Sequence, residues 1–237
     1  MKRSLHDTPV VLLTGEIFVR HDGISRQYIV EELARQGFAT KVSTLAEWIY
    51  YTEWCVRNGV ANGTYTLRDR ISLYLRTLFM KRYERVFRAI LAKSGLCHGG
   101  VENIHHLIQH TRHLIHPELV GEAILTIGAG INDVLDHYCG VIAIGPFGCM
   151  PNRLAEAVLT REMNMDGKLA TGNVNRKVSL LADMIRDIPF LAIESDGNRF
   201  PQIIEARIEA FLLQAERVHR AMDHASRLCR EAGCEDI

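Results

Sequence analysis

The chain has no C-x-x-C pair, no excess of either charge and no apolar run long enough to span a bilayer. Each absence removes a class of function. Six cysteines (Cys55, Cys97, Cys139, Cys149, Cys229 and Cys234) are scattered over 237 residues, which fits neither a disulfide framework nor a self-contained zinc site. Basic and acidic residues number 28 each and no basic block stands out, so nothing argues for nucleic acid or an anionic membrane as partner. A spanning helix needs roughly 20 apolar residues, and the opening "MKRSLHDTPV" has no apolar stretch after its basic residues. Internal repeats and low-complexity tracts are missing as well, apart from one His-rich piece. These absences lead to the expectation of a soluble, cytoplasmic chain with reduced thiols.

What is present is an alternation of apolar runs and amphipathic segments. "PVVLLTGEIFV" is an apolar run that ends at Gly15 and passes into a polar loop. In "ISRQYIVEELARQGF" the residues Ile29, Leu33 and Phe38 mark an amphipathic helix, with Gly37 as its C-terminal stop. "ATKVST" reads as a second strand. Strand, helix, strand in this order is a βαβ unit, whose strands are parallel and whose crossover is right-handed.

Helices then dominate about residues 45–138: one in "LAEWIYYTEWCVRNG", a turn at Asn62 and Gly63, a long Arg-rich amphipathic helix, and helices over 101–115 and 117–138. The last of these is expected to be interrupted near Gly128 and Gly130. A third strand is expected at 141–144, a helix after Cys149, another over 175–186, a fourth strand in "IPFLAIESDG", and a long final helix after Pro201. The pattern predicts one Rossmann-like α/β domain over 1–237. Its parts are an open, mostly parallel sheet of about four strands, a helical insertion at about 45–138, and a long C-terminal helix.

If the sheet is parallel, four loops meet at its carboxyl edge and bring Glu16, Arg20, Asp22, Cys149, Asn152, Glu194, Asp196 and Arg199 towards one crevice. Cys149 is the most suggestive. It lies in "GPFGCMPN", between the third strand and its helix, where oriented N–H groups favour the thiolate that binds metal or attacks an electrophile. Gly145 and Gly148 leave the backbone open to a bulky group, and Pro151 suits the first turn of a helix. The competing reading is an inert buried cysteine in a packed turn.

"GPFGCMPN" and the downstream "IPFLAIESDG" with "PQIIEARIEAFLLQA" resemble the carboxyl-terminal module of the 2-hydroxyacyl-CoA dehydratase group. "TGEIFVRHDGISRQYIVEELARQGF" with "EWIYY" resembles the activase-related branch of that group. The resemblance implies an iron-sulfur protein of anaerobic, low-potential electron transfer, in which a cluster, 4Fe-4S in kind, sits between Rossmann-like domains and a partner ATPase drives an electron into it. Cys149 then matches a cluster-ligand position, with Gly148, Asn152, Glu16 and Arg20 lining the same crevice. The chain lacks a Walker A loop and a Gly-rich phosphate segment, and only Cys149 stands at a ligand position. The rest of the ligand set is therefore expected from an activator ATPase or dehydratase subunit, a second copy of the chain, or another domain. Alternatives are a docking module of the same fold without a cluster, and a thiol acyl transferase with Cys149 as nucleophile.

Three further features admit two readings. His98, His105, His106, His110, His113 and His116 crowd one segment, and His106, His110 and His113 at i, i+4 and i+7 would share a helix face able to bind a transition metal; a polar face that happens to use histidine is the plainer reading. The Arg-rich helix from Arg68 to Arg88 would contact coenzyme A phosphates or a partner, or be a solvated face. Trp48, Tyr50, Tyr51 and Trp54 read as core anchors.

Overall fold

The structure, a computed structural model, describes residues 8–60, 65–93 and 103–232. Strands β1 (Val10–Gly15), β2 (Ala39–Val42), β3 (Gly140–Pro146) and β4 (Phe190–Ser195) form one open sheet in the order β2-β1-β3-β4, with every pair parallel. Helices α1 (Ile17–His21) and α2 (Ile29–Arg35) join β1 to β2. Between β2 and β3 come α3 (Leu45–Arg57), α4 (Leu67–Ala92), α5 (Ile104–Thr111) and α6 (Glu122–Asn132). Three helices, α7 (Met150–Glu162), α8 (Met165–Ala170) and α9 (Arg176–Leu181), join β3 to β4, and α10 (Gln202–Glu231) follows. This is the α/β architecture expected from the alternation of runs.

The central strands are apolar on both faces because both faces are covered. Val141 to Ile144 of β3 have no exposure at all, as suits a strand between two helical layers. The chain leaves β1 towards β2 on one side and β3 towards β4 on the other, so right-handed crossovers place α2 and α7 on opposite faces. α6 packs on α7, α5 and β1, while α10 packs on β3, β4 and α9. The buried side of α10 carries Ile208, Phe211, Leu212, Ala215, Val218 and Met222 at helical spacing.

Several local expectations change. The segment after β1 is a short helix, α1, with Glu16 as its N-cap. α6 runs through Gly128 and Gly130 without interruption; the glycines are there for packing, since a Cβ on Gly128 would lie 2.0 Å from Leu107 Cδ2. The helix expected over 101–115 is Ile104–Thr111, that over 175–186 is Arg176–Leu181, and α8 has no counterpart in the sequence reading. The expected Asn62 and Gly63 turn, Cys97, His98 and Cys234 lie outside the described residues.

A polar knot closes the edge of the sheet opposite the strand ends. Lys168 has 0 % exposure, and its Nζ donates to the Asn132 carbonyl at the end of α6 and to Asp136 Oδ2 at 2.8 Å. Asn175 Nδ2 donates to Asp136 Oδ1 at 2.6 Å, and Asn173 Nδ2 to the Asn132 carbonyl at 3.1 Å. A buried charge left without its partner is costly, so Lys168→Met is expected to destabilise the fold by about 3 kcal/mol. Urea denaturation measures this; an unchanged midpoint would remove the knot from the account of stability.

Candidate functional site

The strand order reverses between β1 and β3, and the carboxyl ends of these strands frame the crevice where open α/β sheets bind ligands. Gly15 pairs with Ile144 at the end of the β1 and β3 ladder, and the next residue, Glu16, donates its N–H to the Ile144 carbonyl at 2.8 Å. The β1 loop is thus pinned to the strand that leads to Cys149.

Pro146, Phe147, Gly148 and Cys149 form a β-turn, closed by the Cys149 N–H to the Pro146 carbonyl at 3.1 Å. Gly148 has φ +73°, the left-handed conformation that a type II turn requires at its third position. A Cβ there would touch nothing within 4 Å, so conformation and not space explains this glycine. The opening expected at Gly145 is filled: a Cβ there would lie 2.7 Å from Asn152 Cγ.

Cys149 is the N-cap of α7, its side chain makes no capping bond, and Pro151 sits in the first turn. Among the described cysteines it is the one with partial exposure, while Cys55, Cys139 and Cys229 are buried. Burial pushes the Cys139 thiol up to about 12, and its Sγ donates to the Val10 carbonyl at 3.2 Å, at the far end of β3 from Cys149. Cys139 is a core residue. On either side of the Cys149 thiol, Phe147 and Met150 are 76 % and 78 % exposed.

The turn is clamped by a residue whose role the sequence did not reveal. Glu194, at the end of β4, accepts from the Gly148 N–H at 3.2 Å and from Arg153 Nη2 at 2.7 Å, while the Phe147 N–H donates to the Ser195 carbonyl at 2.9 Å. Beneath it, Asn152 is 3 % exposed and neither of its amide atoms has a hydrogen-bond partner. Asp196 is occupied with the Asn198 N–H and side-chain amide, and Arg199 lies 3.6 Å from Glu205. Neither is drawn to the thiol turn.

Arg20 has a different place from the one expected. It is 2 % exposed, and its guanidinium donates to the Gly15 carbonyl at 2.8 Å and to the Thr44 carbonyl at 3.3 Å, tying the end of β1 to the end of β2. Burial lowers its pKa from the ordinary value, opposed by the carboxylates of Glu47, Glu122 and Glu16. Glu16 itself caps α1 through the Val19 N–H at 2.8 Å. Arg20 and Glu16 therefore build the rim instead of lining an open cleft. Glu47 and Glu122 come from the helical insertion, and no spacing in the sequence links them to Arg20.

Among the described residues of the histidine segment the side chains do not group into a metal site. α5 ends at Thr111, so His113 leaves the helix face that holds His106 and His110. Those two rings lie 3.9 Å apart, and His110 Nδ1 is 2.6 Å from the Thr171 carbonyl. His105 Nδ1 accepts from Trp54 Nε1, and His116 Nδ1 from the Glu118 N–H. Burial lowers the pKa of His106, with His110 and His105 adding to the effect. Among the described residues no three His, Cys, Asp or Glu side chains are grouped so as to hold a metal ion. No described helix is long and apolar enough to cross a membrane.

Searches against protein-family models, curated proteins and solved structures find no match to this chain.

Glu122 Oε1 accepts from the Ile17 N–H, at the start of α1, at 3.1 Å. Burial raises its pKa above the ordinary 4.5, and Glu16 adds to this. A carboxyl raised in the folded state contributes stability that is complete below the ordinary value and is lost as pH rises through the folded value. Glu122→Gln keeps an acceptor for Ile17 and is expected to raise the denaturation midpoint at about pH 7 while leaving it unchanged at about pH 4. A lower midpoint at neutral pH would show that attraction to Arg20 outweighs burial.

Proposed function

We propose that this chain is an iron-sulfur module related to the 2-hydroxyacyl-CoA dehydratase components, acting in ATP-driven low-potential electron transfer, and that Cys149 supplies one thiolate to a cluster completed by another polypeptide. The observation that carries the reading is the position of Cys149: partly exposed, at the N-cap of α7 and at the switch-point edge of the sheet. The donor set fits one corner of a cluster and no more, because a 4Fe-4S cluster takes four thiolates and the other described cysteines are buried elsewhere. When bound, the cluster would supply one-electron chemistry.

The chain's own residues have three tasks in this reading. Glu194 and Arg153 hold the turn so that the sulfur meets its partner in a fixed position. The first turn of α7, which no side chain caps, leaves backbone N–H donors for an anionic group held at this edge. Phe147 and Met150 offer an apolar collar that a docking activator ATPase or dehydratase subunit would cover, keeping water from the site. The second reading, a docking module without a cluster, needs only the collar.

Reconstitution of the full chain with iron and sulfide, without oxygen and with glutathione present to fill the outer corners, separates the two. Iron uptake with an EPR signal on reduction is expected, lost in Cys149→Ala and kept in Cys55→Ala. A Cys149→Ala protein that retains the same signal refutes the ligand assignment, and absence of iron uptake by the unmodified chain favours the docking module. Asn152→Leu removes two unpartnered buried atoms and is expected to stabilise the fold by about 1 kcal/mol while weakening cluster retention. Destabilisation in urea would make Asn152 a packing residue only.

A further inference from the structure

The insertion between β2 and β3 carries a surface that the cluster reading does not use. α4 is 26 residues long, roughly 39 Å, and Thr77 is its one buried residue. Eleven of the large hydrophobic side chains exposed on the described chain belong to this helix. On a helical projection Ile71, Leu75, Leu78, Phe79 and Val86 fall within an arc about 100° wide, all of them more than half exposed. Monomeric proteins rarely leave so continuous an apolar strip to water.

Charge identifies what covers it. α4 holds seven basic side chains and two acidic ones. Glu84 is taken by Arg88 at 2.8 Å and by the Tyr50 hydroxyl, and Asp69 by the Thr66 cap. Arg68, Arg70, Arg76, Arg82 and Arg85 are exposed and have no carboxylate partner among the described residues. Arg68 and Arg82 fall inside the apolar arc, Arg85 at its margin and Arg76 about 60° beyond it.

A bilayer would have to take those two central guanidinium groups into its apolar layer. A second copy of the chain would bring the same arginines face to face, and its other long helix, α10, balances five acidic residues with five basic ones. Arginine set among aromatic and aliphatic side chains is instead the composition of a protein interface. We propose that the outer face of α4 docks a different polypeptide, one that presents an amphipathic helix with carboxylates placed among its apolar residues. The surface is independent of Cys149.

The test uses the full chain and a designed Leu/Glu amphipathic helical peptide, with binding followed by fluorescence anisotropy. Saturable binding is expected, weakened about tenfold or more by the triple variant Arg76→Glu, Arg82→Glu, Arg85→Glu, weakened also by Leu75→Ser with Leu78→Ser, and unchanged in Cys149→Ala. The substituted side chains of α4 are all exposed, and circular dichroism verifies that the variants fold. Failure of the unmodified chain to bind the peptide overturns the proposal. So does binding to phosphatidylserine vesicles in place of the peptide, or a dimer in sedimentation that the Leu75→Ser, Leu78→Ser variant dissolves.

Discussion

The parallel pairing of β1 with β3 is the contact on which the rest of the molecule depends, because every other strand is placed relative to it. Gly15, with φ +108°, lies so close to β3 that a Cβ would stand 2.0 Å from the Ile144 carbonyl oxygen. No other residue type fits there without moving the strand. Through this approach the Glu16 N–H reaches the Ile144 carbonyl, α1 begins in register with the end of β3, and Arg20 is carried to the seam between β1 and β2. The long helical insertion between β2 and β3 is tolerated because the two strands it separates in sequence are joined by a ladder of their own.

The two halves of the carboxyl edge are built for different ends. On the β1 and β2 side a buried guanidinium is held by the Gly15 and Thr44 carbonyls within the field of carboxylates from three elements, and the Thr14 and Ser43 hydroxyls are buried as well. A guanidinium committed to backbone carbonyls inside the fold is poorly placed to meet a ligand. On the β3 and β4 side the polar groups fasten a turn, and what they present outward is sulfur and exposed apolar surface.

The sheet was legible because fully buried parallel strands write themselves as short uncharged runs, and β1, β3 and β4 have that form. Gly37, at φ +86°, also ended its helix as the sequence indicated. Gly128 and Gly130 misled because glycine as a helix breaker and glycine as a contact point look alike in sequence; the difference is the Leu107 side chain that arrives from α5. The position of Cys149 could be read from "GPFGCMPN", whereas the clamp from Glu194 could not, since it depends on the spacing of β3 and β4. Arg20 reads from the sequence as a residue of this edge, whereas its burial and the nearby Glu47 and Glu122, which come from remote helices, do not.

The orientation of α4 is itself enforced, which separates its exposed face from a helix that merely lies loose on the surface. The Glu84 carboxylate accepts from both Tyr50 on α3 and Arg88 one turn along, with Glu84 and Arg88 largely shielded. Lys81 lies 5.2 Å from the Tyr50 ring centre and Arg57 of α3 lies 5.1 Å from that of Tyr74. Each contact falls on the side of α4 that carries Thr77, so together they fix its rotation as well as its position. A helix that turned freely would average its apolar strip over all directions and bury part of it against α3. Polar contacts on one side hold the other side outward, and hydrophobic burial, the larger force, is left for association instead of being used up within the chain.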